Sequence, residues 1–148
     1  MENKHFSTTI LVDQAPAQVF EAINRPADWW PGTITGSSGK PGDEFAYRYE
    51  DVHLSTQKVA EMVPYERVVW LVTESQIRYV RDIDEWTGTR IIFELSEQDG
   101  KTLLRFTHEG LTPRIECFDS CSTTWDKILR QGLHTLLATD VRPELTLG

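Results

Sequence analysis

Residues 118–137, FDSCSTTWDKILRQGLHTLL, carry the longest amphipathic pattern in the chain. Phe118, Cys121, Trp125, Ile128, Leu129, Gly132, Leu133, Leu136 and Leu137 recur at spacings of three and four, which predicts one long helix. Its apolar face is broad enough to lie across a whole sheet. Ser120–Thr124 is poor helix-forming sequence, so irregularity is expected in the first turns.

The sheet is legible upstream. In Asp43–Glu50, DEFAYRYE, the period is two: Phe45, Tyr47 and Tyr49 share one face, and Glu44, Arg48 and Glu50 share the other. That is a half-buried antiparallel strand. His53–Val63 forms a second strand, and Val63-Pro64-Tyr65-Glu66 a turn with proline at its first bend. Arg67–Thr73, RVVWLVT, is apolar on both faces and belongs in the sheet interior. Gly88–Ser96 and Lys101–Glu109 are two more strands, joined at Glu97–Gly100, where Asp99-Gly100 is a hairpin signal. The charged stretch Glu74–Trp86 adds a short strand around Ile77–Val80.

Toward the N-terminus, residues 5–12 are rich in β-branched types and read as a first strand. A short helix follows over 16–24, with Pro16 in its first turn and Arg25-Pro26 ending it. Asp28-Trp29-Trp30-Pro31 gives one further turn, and the Gly/Ser-rich stretch 32–42 reads as a flexible loop. The fold class is therefore α+β: a strongly curved antiparallel sheet of about six to seven strands wrapped around a long C-terminal helix. One or two short helices follow the first strand, and residues 1–148 are expected to form one domain.

The charge balance excludes some partners. Fifteen Lys and Arg against 23 Asp and Glu give a net charge of −8, spread evenly along the 148 residues. Binding to nucleic acid or an anionic membrane needs a basic field that is missing here. No apolar run approaches the roughly 20 residues that span a bilayer, and residues 1–5 do not resemble a secretory signal, so a cytoplasmic protein without integral membrane association is expected. Cys117 and Cys121 stand four apart with no second pair, so no metal is expected and the two read as small buried side chains. The chain holds no phosphate-binding glycine loop, nucleophile elbow or zinc-protease motif, and no cofactor is expected.

Three groups of residues carry a family likeness: Ala15-Pro16-x-x-Val19-Phe20-x-Ala22, Asp28-Trp29-Trp30, and Thr124-Trp125-x-x-Ile128-Leu129. Together with the element order they resemble the SRPBCC superfamily, also called START-like or helix-grip proteins. Within it, the chain is similar to the branch named after the activator of the heat-shock chaperone ATPase. Glu85-Trp86-Thr87-Gly88-Thr89, Phe106–Pro113 and Glu116-Cys117-x-x-x-Cys121-x-x-x-Trp125 resemble a bacterial subgroup of that branch. Many relatives carry Gly-Trp where this chain has Thr124-Trp125. The resemblance implies a cavity between concave sheet and long helix, used by relatives for lipids, polyketides, hormones or other apolar ligands.

Ten per cent of the residues are aromatic, and five are tryptophan. Trp29, Trp30, Phe45, Tyr47, Tyr49, Trp70, Ile91, Phe93, Trp125 and Leu129 are expected to line that cavity, with His53 as a polar group within it. His108 alternates with Leu104 and Phe106, which reads as a hydrogen-bonded structural histidine. Trp86, in a charged loop beside Asp82, Asp84 and Glu85, reads as standing apart. No residue is singled out as catalytic. The first functional expectation is binding of a small, largely apolar, lipid-, polyketide- or flavonoid-like ligand. A cyclase- or hydrolase-type enzyme using a cavity His or Tyr comes second, and a chaperone-interacting protein third.

Overall fold

Alternation of apolar and polar residues builds the sheet, and the proline and glycine punctuation sets its turns. The computed structural model describes residues 5–30, 32–49, 53–77, 86–112 and 118–139. Strand β1 (Phe6–Val12) leads into helix α1 (Pro16–Ile23) and a short 3-10 turn at Pro26–Asp28. Strands β2 (Thr33–Gly36), β3 (Glu44–Tyr49), β4 (His53–Val63), β5 (Arg67–Ile77), β6 (Arg90–Gln98) and β7 (Lys101–Glu109) follow. The C-terminal helix comprises α2 (Phe118–Lys127), a π-helical stretch (Ile128–Leu133) and α3 (His134–Thr139).

These strands make one curved antiparallel sheet in the order β1-β7-β6-β5-β4-β3-β2. Strand β5, which contains the segment apolar on both faces, takes the central place. Val68, Val69, Trp70 and Val72 are buried there. Asp99 and Gly100 close the β6–β7 hairpin with φ of 53° and 80°, both left-handed, as a two-residue hairpin that follows the sheet twist requires. Strand β4 shifts register against β5 at Thr56/Gln57 and again at Val59/Glu61. Such bulges bend a strand and re-aim the side chains beside them.

Two local expectations are corrected, and a third falls mostly outside the described residues. Strand β2 lies inside the presumed loop 32–42. Gly36, at φ 108°, runs against the β3 backbone where any Cβ would collide with the Glu44 carbonyl, so glycine marks close strand approach rather than flexibility. Strand β5 also runs on unbroken to Ile77, and the rest of the segment expected as a separate strand at 77–80 lies outside the described residues. The helix irregularity falls at 128–133, not at 120–124: α2 is regular through its Ser/Thr-rich turns. The wider π turn keeps Ile128, Leu129, Gly132 and Leu133 all buried. Arg130 pins this turn to the sheet edge, donating to Asp126 Oδ1 at 2.8 Å and to Thr8 Oγ1 at 3.2 Å.

Helix α1 and the C-terminal helix bury their apolar faces in one core with the inward side chains of β1 and β3–β7. Trp29 locks the chain after α1 by donating its indole N–H to the Ala22 carbonyl at 2.9 Å.

Candidate functional site

Five rings form a closed circuit between sheet and C-terminal helix. Trp30 meets Tyr47 of β3 at 4.6 Å between centroids, and Tyr47 meets His53 of β4 at 5.4 Å. His53 meets Trp86 at 4.5 Å, and Trp86 stacks on Trp125 of α2 at 5.7 Å and 11° between planes. Trp125 returns to Trp30 at 5.4 Å. Phe45 and Phe93 extend the cluster, each 4.9 Å from Trp70, and Phe106 lies 4.7 Å from Trp125. Most of these contacts are edge-to-face, the arrangement that ring quadrupoles favour.

The period of two places Phe45 and Tyr47 here, and the strand register adds polar groups beneath them. Tyr47 faces Ser55, and Ser55 faces Ser75 across β3, β4 and β5. All the expected aromatic and aliphatic lining residues belong to this core, including Trp29, Ile91, Phe93 and Leu129, with Tyr49 half-buried at its rim. His53 joins them through its ring contacts.

Trp86 corrects the reading that set it apart. It is 5% exposed and bridges His53, His108 and Trp125. Reciprocal backbone bonds from Val72 N to Thr89 O (2.9 Å) and from Gly88 N to Val72 O (2.8 Å) fold its turn onto β5. Hydrophobic periodicity carries no signal for a turn that points inward. Ser55, Gln57 and Ser75 were also missed, although His53, Ser55, Gln57 and Val59 alternate on one strand face and mark a polar inner stripe.

His108 is held through both ring nitrogens. The Trp125 indole can only donate, so His108 Nδ1 accepts its N–H at 3.0 Å, and Nε2 carries the imidazole proton. Nε2 then donates to Thr89 Oγ1 at 2.8 Å, which donates onward to the Trp86 carbonyl at 2.6 Å. Burial, with smaller effects from His53 and His5, lowers the His108 pKa to about 3. His108 is thus a neutral structural tie between β7, α2 and the Trp86 turn. Burial also lowers His53 to about 4, and it raises the Tyr47 phenol, with Tyr49 adding to the effect.

Several polar atoms in this region have no partner among the described residues. Gln57 is fully buried and donates through Nε2 to Ser55 Oγ at 3.2 Å, while its Oε1 meets no donor. Trp70 Nε1, Trp86 Nε1 and His53 Nε2 are likewise unmatched among the described residues. Each such atom costs about 1–3 kcal/mol when left unmet, so a group of four in one region is unusual for a folded core. Among the described residues, no three His, Cys, Asp or Glu side chains are grouped to hold a metal ion. Cys121 is buried, and Cys117, Asp82, Asp84 and Glu85 lie outside the described residues. An open groove of about 560 Å³ runs along β2–β5, lined by Thr33, Arg48, Thr56 and Glu74 together with Tyr47, Ser55 and Ser75.

The profile of the family described as "Activator of Hsp90 ATPase homolog 1-like protein" matches residues 13–138. The chain belongs to that family. This family member shares its fold with the Aha1 protein of Colwellia psychrerythraea, solved in solution as a dimer: identity is 24% over 94% of this chain and 98% of that one, with a TM-score of 0.74. Protein MLL2253 of Mesorhizobium loti superposes with a TM-score of 0.75 at 14% identity, covering 91% of this chain and 97% of that one. DynU16, from the dynemicin biosynthetic locus, superposes at 0.70 with 15% identity over 95% of this chain and 49% of its own. No curated protein sequence matches the chain significantly. No helix among the described residues is long and apolar enough to cross a membrane.

Proposed function

We propose that this family member binds a small, largely apolar, ring-containing molecule between the sheet and the C-terminal helix. The observation that carries this is the convergence of aromatic side chains from separate elements on buried polar atoms that have no partner among the described residues. A core needing only stability would fill the same space with partnered or aliphatic groups. A planar ligand enters at the rim, where Tyr49 and His53 are half-buried. Apolar burial at about 25 cal/mol per Å² supplies micromolar affinity, about 8 kcal/mol, without a charged anchor. The kinship in fold with a protein of a biosynthetic locus is in keeping with a small-molecule role.

Proton-transfer chemistry is the weaker reading. A general acid or base works best with a pKa near the operating pH, whereas both nitrogens of His108 are engaged and His53 is lowered to about 4. Native mass spectrometry of the purified chain is expected to show a copurified small molecule. Titration with fatty acids, sterols, flavonoids and aromatic polyketides is expected to change tryptophan emission saturably for the ring-containing members. No adduct and no saturable change with any of them would overturn the proposal.

A further inference from the structure

Two strands end the sheet, and they are built differently. Strand β2 is four residues long and finishes at Gly36 with φ 108°, a short and kinked edge that offers little backbone to another strand. Strand β1 is seven residues long, pairs along β7 without a register shift, and carries no charge, proline or glycine between His5 and Asp13. It has none of the devices that blunt an edge. No strand among the described residues covers its other side.

Two contacts fix which backbone groups face outward. Phe6 donates its N–H to the Leu111 carbonyl just beyond β7 at 2.8 Å, so Phe6, Thr8, Ile10 and Val12 turn their backbone groups to the β7 side. Arg130 of the C-terminal helix donates through Nη2 to the Thr9 carbonyl at 3.5 Å, so Ser7, Thr9 and Leu11 turn theirs to the free edge. Leu11, 45% exposed, is one of two large apolar side chains in that state among the described residues. Arg130 also holds Asp126 at 2.8 Å, each side chain 49% exposed, and Thr8 Oγ1 at 3.2 Å. A cation and an anion thus stand beside the midpoint of a neutral edge.

We infer that this edge docks a second copy of the chain, β1 against β1 and antiparallel, about a twofold axis at Thr9. Thr9 then pairs with Thr9 of the partner subunit, Ser7 with Leu11 of the partner subunit, and Leu11 with Ser7 of the partner subunit. These three pairs close six backbone hydrogen bonds. The axis brings two Arg130 and two Asp126 side chains to one seam, where each guanidinium meets a carboxylate from either copy. An unrelated extended peptide satisfies the backbone groups alone; the same edge, turned over, returns both charges in matching places. One strand pair and its seam make a small interface, so the dimer forms and dissociates with concentration.

Sedimentation equilibrium of the full chain, over a roughly hundredfold range of concentration reaching the millimolar, is expected to show a monomer–dimer equilibrium. Amide hydrogen exchange across the same range locates it: Ser7, Thr9 and Leu11 should slow as the dimer forms, while Thr8 and Ile10, already in the β7 ladder, should not change. Thr9→Pro removes an N–H that the β7 ladder does not use, which an edge strand tolerates. It deletes two of the six bonds and is expected to weaken the dimer roughly tenfold or more. Leu11→Lys, at an exposed position, is expected to do the same by charging the edge. A monomer at every concentration overturns the inference. So does a dimer in which Ser7, Thr9 and Leu11 exchange as fast as in the monomer, or one that both folded variants leave intact. If Thr9→Pro does not fold, Leu11→Lys and the wild-type exchange pattern still decide.

Discussion

Thr89 stands between His108 and the Trp86 carbonyl, accepting from one and donating to the other through a single hydroxyl. Gly110 guards that position, because a Cβ there would come within 2.6 Å of the Thr89 methyl, at a φ of 104° that already favours glycine. Replacing the hydroxyl with a methyl keeps the shape and strands the His108 Nε2 proton, while the Trp86 carbonyl keeps the Thr89 backbone N–H at 3.0 Å. Thr89→Val is therefore expected to lower unfolding free energy by about 1–3 kcal/mol, the range for a single orphaned group. Urea unfolding of the variant against wild type checks this, and a loss below 1 kcal/mol would show that the chain of bonds carries little stability. His108 itself was legible as structural from its alternation with Leu104 and Phe106. Its partners were not, because Thr89 and Trp125 meet it only through the pairing of β6 with β7 and the crossing of α2.

At the scale of elements, the C-terminal helix shows what periodicity can and cannot read. The apolar stripe from Phe118 to Leu137 predicts the helix and its buried face, and both are found. The π turn escapes because spacings of three and four tolerate one wide turn without losing the stripe. That turn accommodates surplus length, so deletion of exposed Gln131 is expected to tighten it to regular helix while α2 and α3 keep their faces. Deletion of exposed Thr123, in regular helix, would instead rotate Phe118 and Cys121 off the core. Circular dichroism melts should show a cooperative transition near wild type for the first deletion and a much lower midpoint for the second. The reverse order would show that the wide turn is required for packing. Strand β2 was hidden for a different reason: its glycines permit tight backbone pairing, which composition alone cannot tell from a loose loop.

For the whole molecule, pH acts through two histidines: His108, fully buried, and His53, half-buried with its Nε2 enclosed. Both have folded-state pKa values, about 4 and about 3, below the ordinary 6.5, so the unfolded chain takes up protons first as pH falls. Their contribution is fully present above about pH 7 and declines as pH drops through 6.5 toward 4. Two such groups lose of order 3 kcal/mol between pH 7 and pH 5. Urea midpoints across that interval should fall accordingly, and Thr89→Val, which leaves His108 buried, should retain the slope. A flat profile would mean that the imidazoles already titrate in the folded state. The overall architecture was readable from alternation and the helix stripe, whereas the space on which the rings converge came from the family resemblance, and Trp70 could not be placed by a strand apolar on both faces. The polar atoms among the rings were not readable, because whether a buried glutamine or indole finds a partner depends on register, a bulge and an inward turn together.

All five tryptophans are linked through ring contacts: Trp29 to Trp30, Trp30 to Trp70 and to Trp125, and Trp125 to Trp86. At these separations electronic excitation passes among indoles faster than any of them emits. Light absorbed anywhere in the protein therefore reaches whichever indole has the lowest excited state, and the emission spectrum belongs to the group. The near-parallel stack of Trp86 on Trp125 couples their transition dipoles directly, so this pair contributes a far-ultraviolet circular dichroism signal that backbone content does not explain. A quencher touching one member darkens them all.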